Sequence, residues 1–270
     1  MAQVDSVPAT SRAGGCGFGA TARRDAWWAG PLATGLSLAA FVVYSTARAL
    51  LNANYELGIG SHSGILPDHA YLLSPFYSPL LVLPASLAWI SPAFLILWAP
   101  GGFRLTCYYY RKAYYRAFLL DPVACAVGEP SSLCGFKRGL AYKGETRILL
   151  FQNLHRYFLY IALGFLVLLW LDVVHAMRWR NGFGVSVGTL VLAVNTSLLT
   201  LYTFSCHSLR HLVGGRLDRL SQTRHRLWAW VSGLNKHHMF FAWTSLFGVG
   251  FADFYVWMVA SGRITDFRFI

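Results

Sequence analysis

The stretch Tyr202-Thr-Phe-Ser-Cys206-His207-Ser-Leu-Arg-His211 closes a long apolar run with one thiol and two imidazoles. Ionisable groups are costly inside a membrane, so their position there points to chemistry and not to plain anchorage. Counting from the basic residues that should mark the inner face finds partners for them. Cys107 lies four residues before Arg111, and Cys206 four before Arg210, each about 6 Å deeper than its arginine at the helical rise per residue. His155 follows Arg147 by eight residues and His238 follows Arg226 by twelve, about 12 to 18 Å inward on the same scale. Four helices can each bring one donor to a shared layer in the inner half.

Two thiols and two imidazoles suit three metal groups. Zinc takes such a set, although structural zinc draws closely spaced pairs and these donors are on separate helices. A b-type haem needs two facing histidines, which His155 and His238 could supply. A Rieske-type 2Fe-2S cluster takes two histidines on one iron and two thiolates on the other, and uses all four. Against these stand plainer readings, in which a membrane cysteine is a small apolar residue and an inward histidine bonds a neighbouring helix. His207 and His211 share a helix face at i and i+4; they could bind a metal, but contact with a quinone or a soluble partner is preferred. His237 reads as interfacial, and His62, His69 and His175 as outer residues.

The elements that must position these groups follow from composition. With 56% hydrophobic and 13% charged residues over 270 positions, the chain reads as an all-α integral membrane protein, not a soluble domain. The net charge of +12 gathers at the ends of apolar segments, a positive-inside pattern that excludes nucleic acid as a partner. A bundle of five transmembrane helices is predicted, with spans near 30–52, 80–119, 148–177, 185–213 and 227–260. Pro84, Pro92 and Pro100 predict a kinked or re-entrant segment before helix two, followed by a straight helix from Phe103 to Ala117. Gly184 and Gly188 are spaced for close helix contact. Residues 1–29 are expected as a cytoplasmic N-terminal tail, 30–260 as the transmembrane domain, and 261–270 as a short outer tail. Cys16, Cys107, Cys125, Cys134 and Cys206 all map to the inner side or inner half, so no structural disulfide is expected. Asp172 and Asp253 lie deep towards the outer half and should be protonated or paired with Arg48, Arg178 or Arg180.

Longer motifs carry a resemblance. Arg104-Leu-Thr-Cys107-Tyr-Tyr-Tyr-Arg-Lys-Ala-Tyr-Tyr-Arg116, Ala124-Cys125-Ala-Val127, Gly144-Glu-Thr-Arg147, Gln152-Asn-Leu-His155-Arg-Tyr-Phe158, Ser205-Cys206-His207-Ser-Leu-Arg-His211, Gly214-Gly-Arg216 and Ala252-Asp253-Phe-Tyr255 resemble the membrane-anchor subunit of type F succinate dehydrogenases, the respiratory complex II of mycobacteria and relatives. The resemblance implies a multi-pass protein of the bacterial plasma membrane with a cytoplasmic N-terminus, surrounded by lipid. It implies flavoprotein and iron–sulfur partner subunits, succinate oxidation on the former, and electron transfer through an intramembrane Rieske-type 2Fe-2S cluster to a quinone, menaquinone or ubiquinone. The ligands it implies are Cys107, Cys206, His155 and His238, with Cys125, His207 and His211 in reserve. Leu209 stands where many members carry a second cysteine, which leaves Cys206 as the sulfur of that segment. No catalytic nucleophile is implied. Quinone is expected at the inner interface among Tyr108, Tyr109, Arg156, Tyr157, His207 and His211, since such a pocket joins an apolar slot to a few placed donors. Two alternatives are a cytochrome subunit bearing haem b, which in its di-haem form needs histidine pairs at two depths, and a non-redox anchor or transporter.

Overall fold

The structure, a computed structural model, describes residues 26, 28–58, 70–87, 89–118, 148–215 and 221–270. The N-terminal tail through Asp25, the loop holding Cys125 and Cys134, and His62 and His69 lie outside the described residues. The elements are helix α1 (Ala29–Leu51), strands β1 (Glu56–Leu57) and β2 (Leu72–Leu73), helices α2 (Pro92–Thr106), α3 (Tyr108–Phe118) and α4 (Ile148–His175), strands β3 (Arg178–Trp179) and β4 (Gly182–Phe183), and helices α5 (Val187–Phe204), α6 (His207–Gly214), α7 (Gln222–Asn235) and α8 (His238–Ala260). Two compact units partition the chain, Met1–Leu36 with Lys112–Thr146 and Ser37–Arg111 with Arg147–Ile270. In the first, Gly35 lies against Ala117 and Phe118. The second holds Cys107, His155, Cys206 and His238.

The protein is helical and built for a membrane. α1, α5, α8 and residues Leu150–His175 of α4 are each long and apolar enough to cross one. The expected second span is represented by α2, whose 15 residues are fewer than in those four. Large apolar side chains such as Val43, Val167, Phe247 and Phe251 face outward, where lipid and not water is the natural solvent. Inside, α5 packs along α8, and α4 packs on both α2 and α5. Gly248 permits the close approach of α8 to α5, since a Cβ there would lie 3.1 Å from Leu198. One buried cluster, with Leu57, Leu72, Val173, Leu192 and Val256, fills the end of the bundle distal to the cysteines. A second, with Phe103, Tyr110, Leu159, Tyr202 and Ala242, surrounds Cys107 and Cys206.

Local sequence explains the helix ends. Asn52, at φ 44°, stops α1 in the left-handed conformation that asparagine tolerates. Pro92 opens α2 behind Ser91, a position where its missing N–H is no loss. Ser186 and Thr189 form a reciprocal cap at the start of α5. The C-terminal segment is docked there: Asp266 accepts from the Gly188 N–H at 2.8 Å and from the Tyr255 hydroxyl at 2.8 Å. Gly188 therefore serves a contact with Leu72 and Asp266, and Gly184 one with Trp179 and Arg268, instead of the helix pair their spacing suggested. Arg48 and Asp253 form the buried ion pair expected of the deep carboxylate, Nε to Oδ2 at 2.8 Å. Asp172 accepts from the Ser78 hydroxyl at 2.5 Å.

Three expected spans are interrupted. The straight helix from Phe103 to Ala117 is broken at Cys107, the span 185–213 at Ser205–Cys206, and the span 227–260 at Lys236–His237. None of these breaks involves proline or glycine, which is why hydropathy runs through them without a mark.

Candidate functional site

Two of the breaks are nearly the same structure. Cys107 has φ −62° and ψ 129°, and Cys206 has φ −64° and ψ 137°. Each is a single extended residue between two helices. The N–H of Cys107 bonds back to the Arg104 carbonyl, and that of Cys206 to the Thr203 carbonyl. Each cysteine carbonyl accepts the N–H of an arginine four residues on, Arg111 at 2.9 Å and Arg210 at 3.1 Å. The extended residue projects its thiol from the start of the following helix, where backbone N–H groups have no intrahelical partner. Those of Tyr109 and Tyr110 are directed at the Cys107 sulfur, and those of Ser208 and Leu209 at the Cys206 sulfur.

The histidines complete two crossed pairs. His238 Nε2 lies 3.3 Å from Cys107 Sγ, and His155 Nε2 lies 3.0 Å from Cys206 Sγ. On the far side of each ring stands a hydroxyl from the residue before the other cysteine. Thr106 Oγ1 is 2.9 Å from His155 Nδ1, and Ser205 Oγ is 2.8 Å from His238 Nδ1. Thr106 donates its one proton to the Gly102 carbonyl at 2.7 Å, and Ser205 donates its own to Tyr202 at 2.9 Å. Each hydroxyl must therefore accept from the ring, which places the proton on Nδ1 and turns a bare Nε2 lone pair towards sulfur. That is the tautomer an imidazole uses to bind a metal through Nε2.

Aromatic and basic groups enclose the quartet. Phe103 stacks on His155, with centroids 4.6 Å apart and planes within 5°. Tyr202 stacks on His238 at 5.2 Å. Arg104 lies over the Tyr202 ring and bonds to the Tyr110 hydroxyl, the Ala242 carbonyl and Ser245. Arg111 is held by the Thr106 carbonyl at 3.0 Å. The Tyr202 hydroxyl is buried and directed at the Cys107 sulfur, and both thiols are within its electrostatic reach. Sequence reasoning missed Thr106, Ser205, Arg104, Tyr110 and Tyr202. The signal for the two hydroxyls was present as a repeat, Thr106-Cys107 with Arg111 and Ser205-Cys206 with Arg210.

The other expected site residues are dispersed. Tyr109 lies edge-on to His238 and accepts from Trp243 Nε1 at 2.7 Å. Tyr108 is exposed beside Arg111. Arg156 and Tyr157 are on an exposed part of α4, just past the buried His155. His207 and His211 meet on α6, Nε2 to Nε2 at 3.0 Å, exposed and outside the quartet. Partial burial, then His211 and Arg210, lower the His207 pKa, which keeps that ring neutral at neutral pH. Cys125 lies outside the described residues. A cavity of about 500 Å³ opens on the face of α4 and α5, lined by Leu163, Leu166, Val167, Trp170, Thr200 and Phe204 among others. None of the six residues expected to bind quinone lines it.

Comparison with known proteins then decides the family. Residues 29–262 match the family described as actinobacterial succinate dehydrogenase subunit SdhC. The chain belongs to that SdhC family. It is similar to a chain of the Mycobacterium smegmatis Sdh1 complex solved in the apo form, with 43% identity over 93% of this chain and 94% of the other and a TM-score of 0.77. No curated protein matches. As an SdhC-family chain it is a multi-pass membrane subunit of a succinate dehydrogenase complex, an oxidoreductase assembled from several subunits.

Proposed function

We propose that this SdhC-family subunit holds a Rieske-type 2Fe-2S cluster through Cys107, Cys206, His155 and His238, and passes electrons from the iron–sulfur partner subunit to quinone. The observation that carries the reading is the crossed quartet with both imidazoles fixed in the Nδ1–H form. Each thiol is within electrostatic reach of the other thiol, and each imidazole of the other imidazole. The four donors stand as two Cys–His pairs, Cys107 with His238 and Cys206 with His155, and a two-iron group would take both sulfurs on one iron and both imidazoles on the other. A bis-histidine haem fits less well, since each Nε2 faces a sulfur at 3.0 to 3.3 Å.

When bound, such a cluster supplies one-electron transfer at a potential raised by its histidine ligands. The chain's own residues supply the rest. Thr106 and Ser205 orient the imidazoles, and Phe103, Tyr202 and Leu159 keep water from them. The N–H groups at the starts of α3 and α6 would share the negative charge of the thiolates if such a group were bound. The Tyr202 hydroxyl, directed at the Cys107 sulfur, would be a donor to a bound group. Quinone is reduced close to His238, where Tyr109 offers a phenol at the inner interface, with His207 and His211 nearby on α6. The basic inner loops receive the iron–sulfur partner, and succinate is oxidised on the flavoprotein. In this orientation the N-terminus is cytoplasmic.

Low-temperature EPR with a parallel optical spectrum on the purified, dithionite-reduced complex tests the proposal, comparing the native chain with His155→Ala and Cys206→Ser. A signal of the histidine-ligated type that disappears in both variants, without haem absorption, is expected. Haem bands lost on substituting His155 would replace this reading with a cytochrome, and a spectrum unchanged by either substitution would leave a non-redox anchor.

A further inference from the structure

We propose that His207 and His211 form a second metal site, a two-imidazole chelate for a divalent transition-metal ion of the zinc class, on the exposed face of α6. The inference uses none of the four proposed cluster ligands, and it takes the pair that flanks the quinone position proposed above.

Three observations carry it. First, the distance is that of a chelate: zinc–imidazole bonds of about 2.0 to 2.1 Å put two ligand nitrogens about 2.8 Å apart at a right angle and about 3.4 Å apart at the tetrahedral angle. The two Nε2 atoms lie 3.0 Å apart, with ring planes at 83°. Two Nε2–H groups cannot face each other at that distance, so at least one ring already presents a bare lone pair.

Second, the backbone beneath the pair is fixed. Ser208 is buried, and so is Gly214 at the end of α6 on the same stripe as the two histidines, where a Cβ would lie 2.9 Å from Trp228 of α7. Arg210 bonds to Ser232 at 2.9 Å and lies over the Trp228 ring. Arg224 of α7 donates to the Val213 carbonyl at 2.6 Å and the Leu212 carbonyl at 3.3 Å, tying down the end of α6. A chelate on a fixed helix loses little freedom when it binds.

Third, both rings are exposed, so water can complete the shell. Imidazole selects zinc, copper and nickel over magnesium and calcium, which prefer oxygen ligands. Arg210 is the cation that opposes binding, and its guanidinium is engaged on the α7 side.

The test is a zinc titration by isothermal calorimetry of the purified, chelator-stripped complex, comparing the native chain with His211→Ala and with His207→Gln. One site per SdhC-family chain is expected in the native complex, weakened roughly tenfold or more in each variant because one of two ligands is gone. Magnesium should not compete. If a variant fails to assemble, zinc protection of the native complex against diethyl pyrocarbonate, mapped by mass spectrometry, replaces the comparison, and His207 and His211 should both be protected. Equal zinc binding in native and variant complexes, no site in the native complex, or modification of both histidines at the same rate with and without zinc would each overturn the proposal.

Discussion

Replacing Thr106 with valine probes the orienting hydroxyls directly. Thr106 Oγ1 bridges the Gly102 carbonyl at 2.7 Å and His155 Nδ1 at 2.9 Å, and valine keeps the branched shape while removing the oxygen. His155 is only 3% exposed, so its Nδ1–H has no water to turn to. Leaving a buried donor unpaired costs about 1 to 3 kcal/mol. The alternative is to move the proton to Nε2, where it faces Cys206 and removes the ligating lone pair. Either route disfavours the metal-binding form by roughly 5- to 150-fold, within the range typical for loss of an outer-shell partner of a ligand histidine. The expected outcome is a complex with depleted iron and acid-labile sulfide and a weakened histidine-type EPR signal, measured after growth with limiting iron. Thr106→Ser retains the hydroxyl and should restore both. Ser205→Ala should act in the same way through His238, and because both rings would hold one group the two losses should not add independently. Thr106→Val with native iron content and an unchanged midpoint potential would refute the argument for the tautomer.

Two further outcomes concern stability. Arg48 and Asp253 are 2% and 0% exposed, and Asp253 also accepts from Tyr44 and Ser74, so Asp253→Ala strands a buried guanidinium and should destabilise the protein by about 3 to 5 kcal/mol. The double change Arg48→Met with Asp253→Leu should lose much less, and thermal inactivation in detergent of the single and double variants measures the difference; equal losses would show that the pair is not the source of the effect. Asn195 is buried on α5, opposite Gly248 of α8, with neither amide atom partnered among the described residues. Asn195→Leu should therefore be neutral or stabilise by up to about 2 kcal/mol in the same assay, whereas a clear loss of stability would mean that the amide has a partner, such as an internal water.

The first span, Gly30 to Asn52 by hydropathy and Ala29–Leu51 in the structure, shows what periodic apolar sequence specifies well. So does the third, expected to begin at Ile148. The four candidate donors do come together in the structure: Cys107, Cys206 and His238 lie at or beside the helix breaks, and of the four inward counts from basic residues the one from Arg226 to His238 crosses a break, at Lys236–His237. The breaks themselves were not legible. A single extended residue flanked by Thr106 and Tyr108, or by Ser205 and His207, changes neither average hydropathy nor proline and glycine content. The two-residue strands and the docked C-terminal segment were missed for a related reason: pairings such as Ser186 with Arg268 are too short for period-two alternation to register. The expected outer tail at 261–270 is thus described as a segment capping α5 through Asp266.

The breaks have a chemical consequence that a continuous helix could not provide. Within an unbroken α-helix the N–H groups of residues 109, 110, 208 and 209 would bond to carbonyls one turn back, leaving none for a sulfur. Interrupting the helix at each cysteine frees them and begins a new helix whose positive end meets the thiol. The same interruption brings the preceding hydroxyl alongside the opposite histidine, so one local motif, used twice, supplies a thiol with donors and an imidazole with its tautomer, as the proposed site requires. Neither duty requires a charged carboxylate inside the membrane, where the carboxylate that commonly orients a metal-binding imidazole would be expensive to bury. The Thr106-Cys107 and Ser205-Cys206 pairs, each followed by arginine four residues past the cysteine, form the smallest unit of sequence that carries this arrangement.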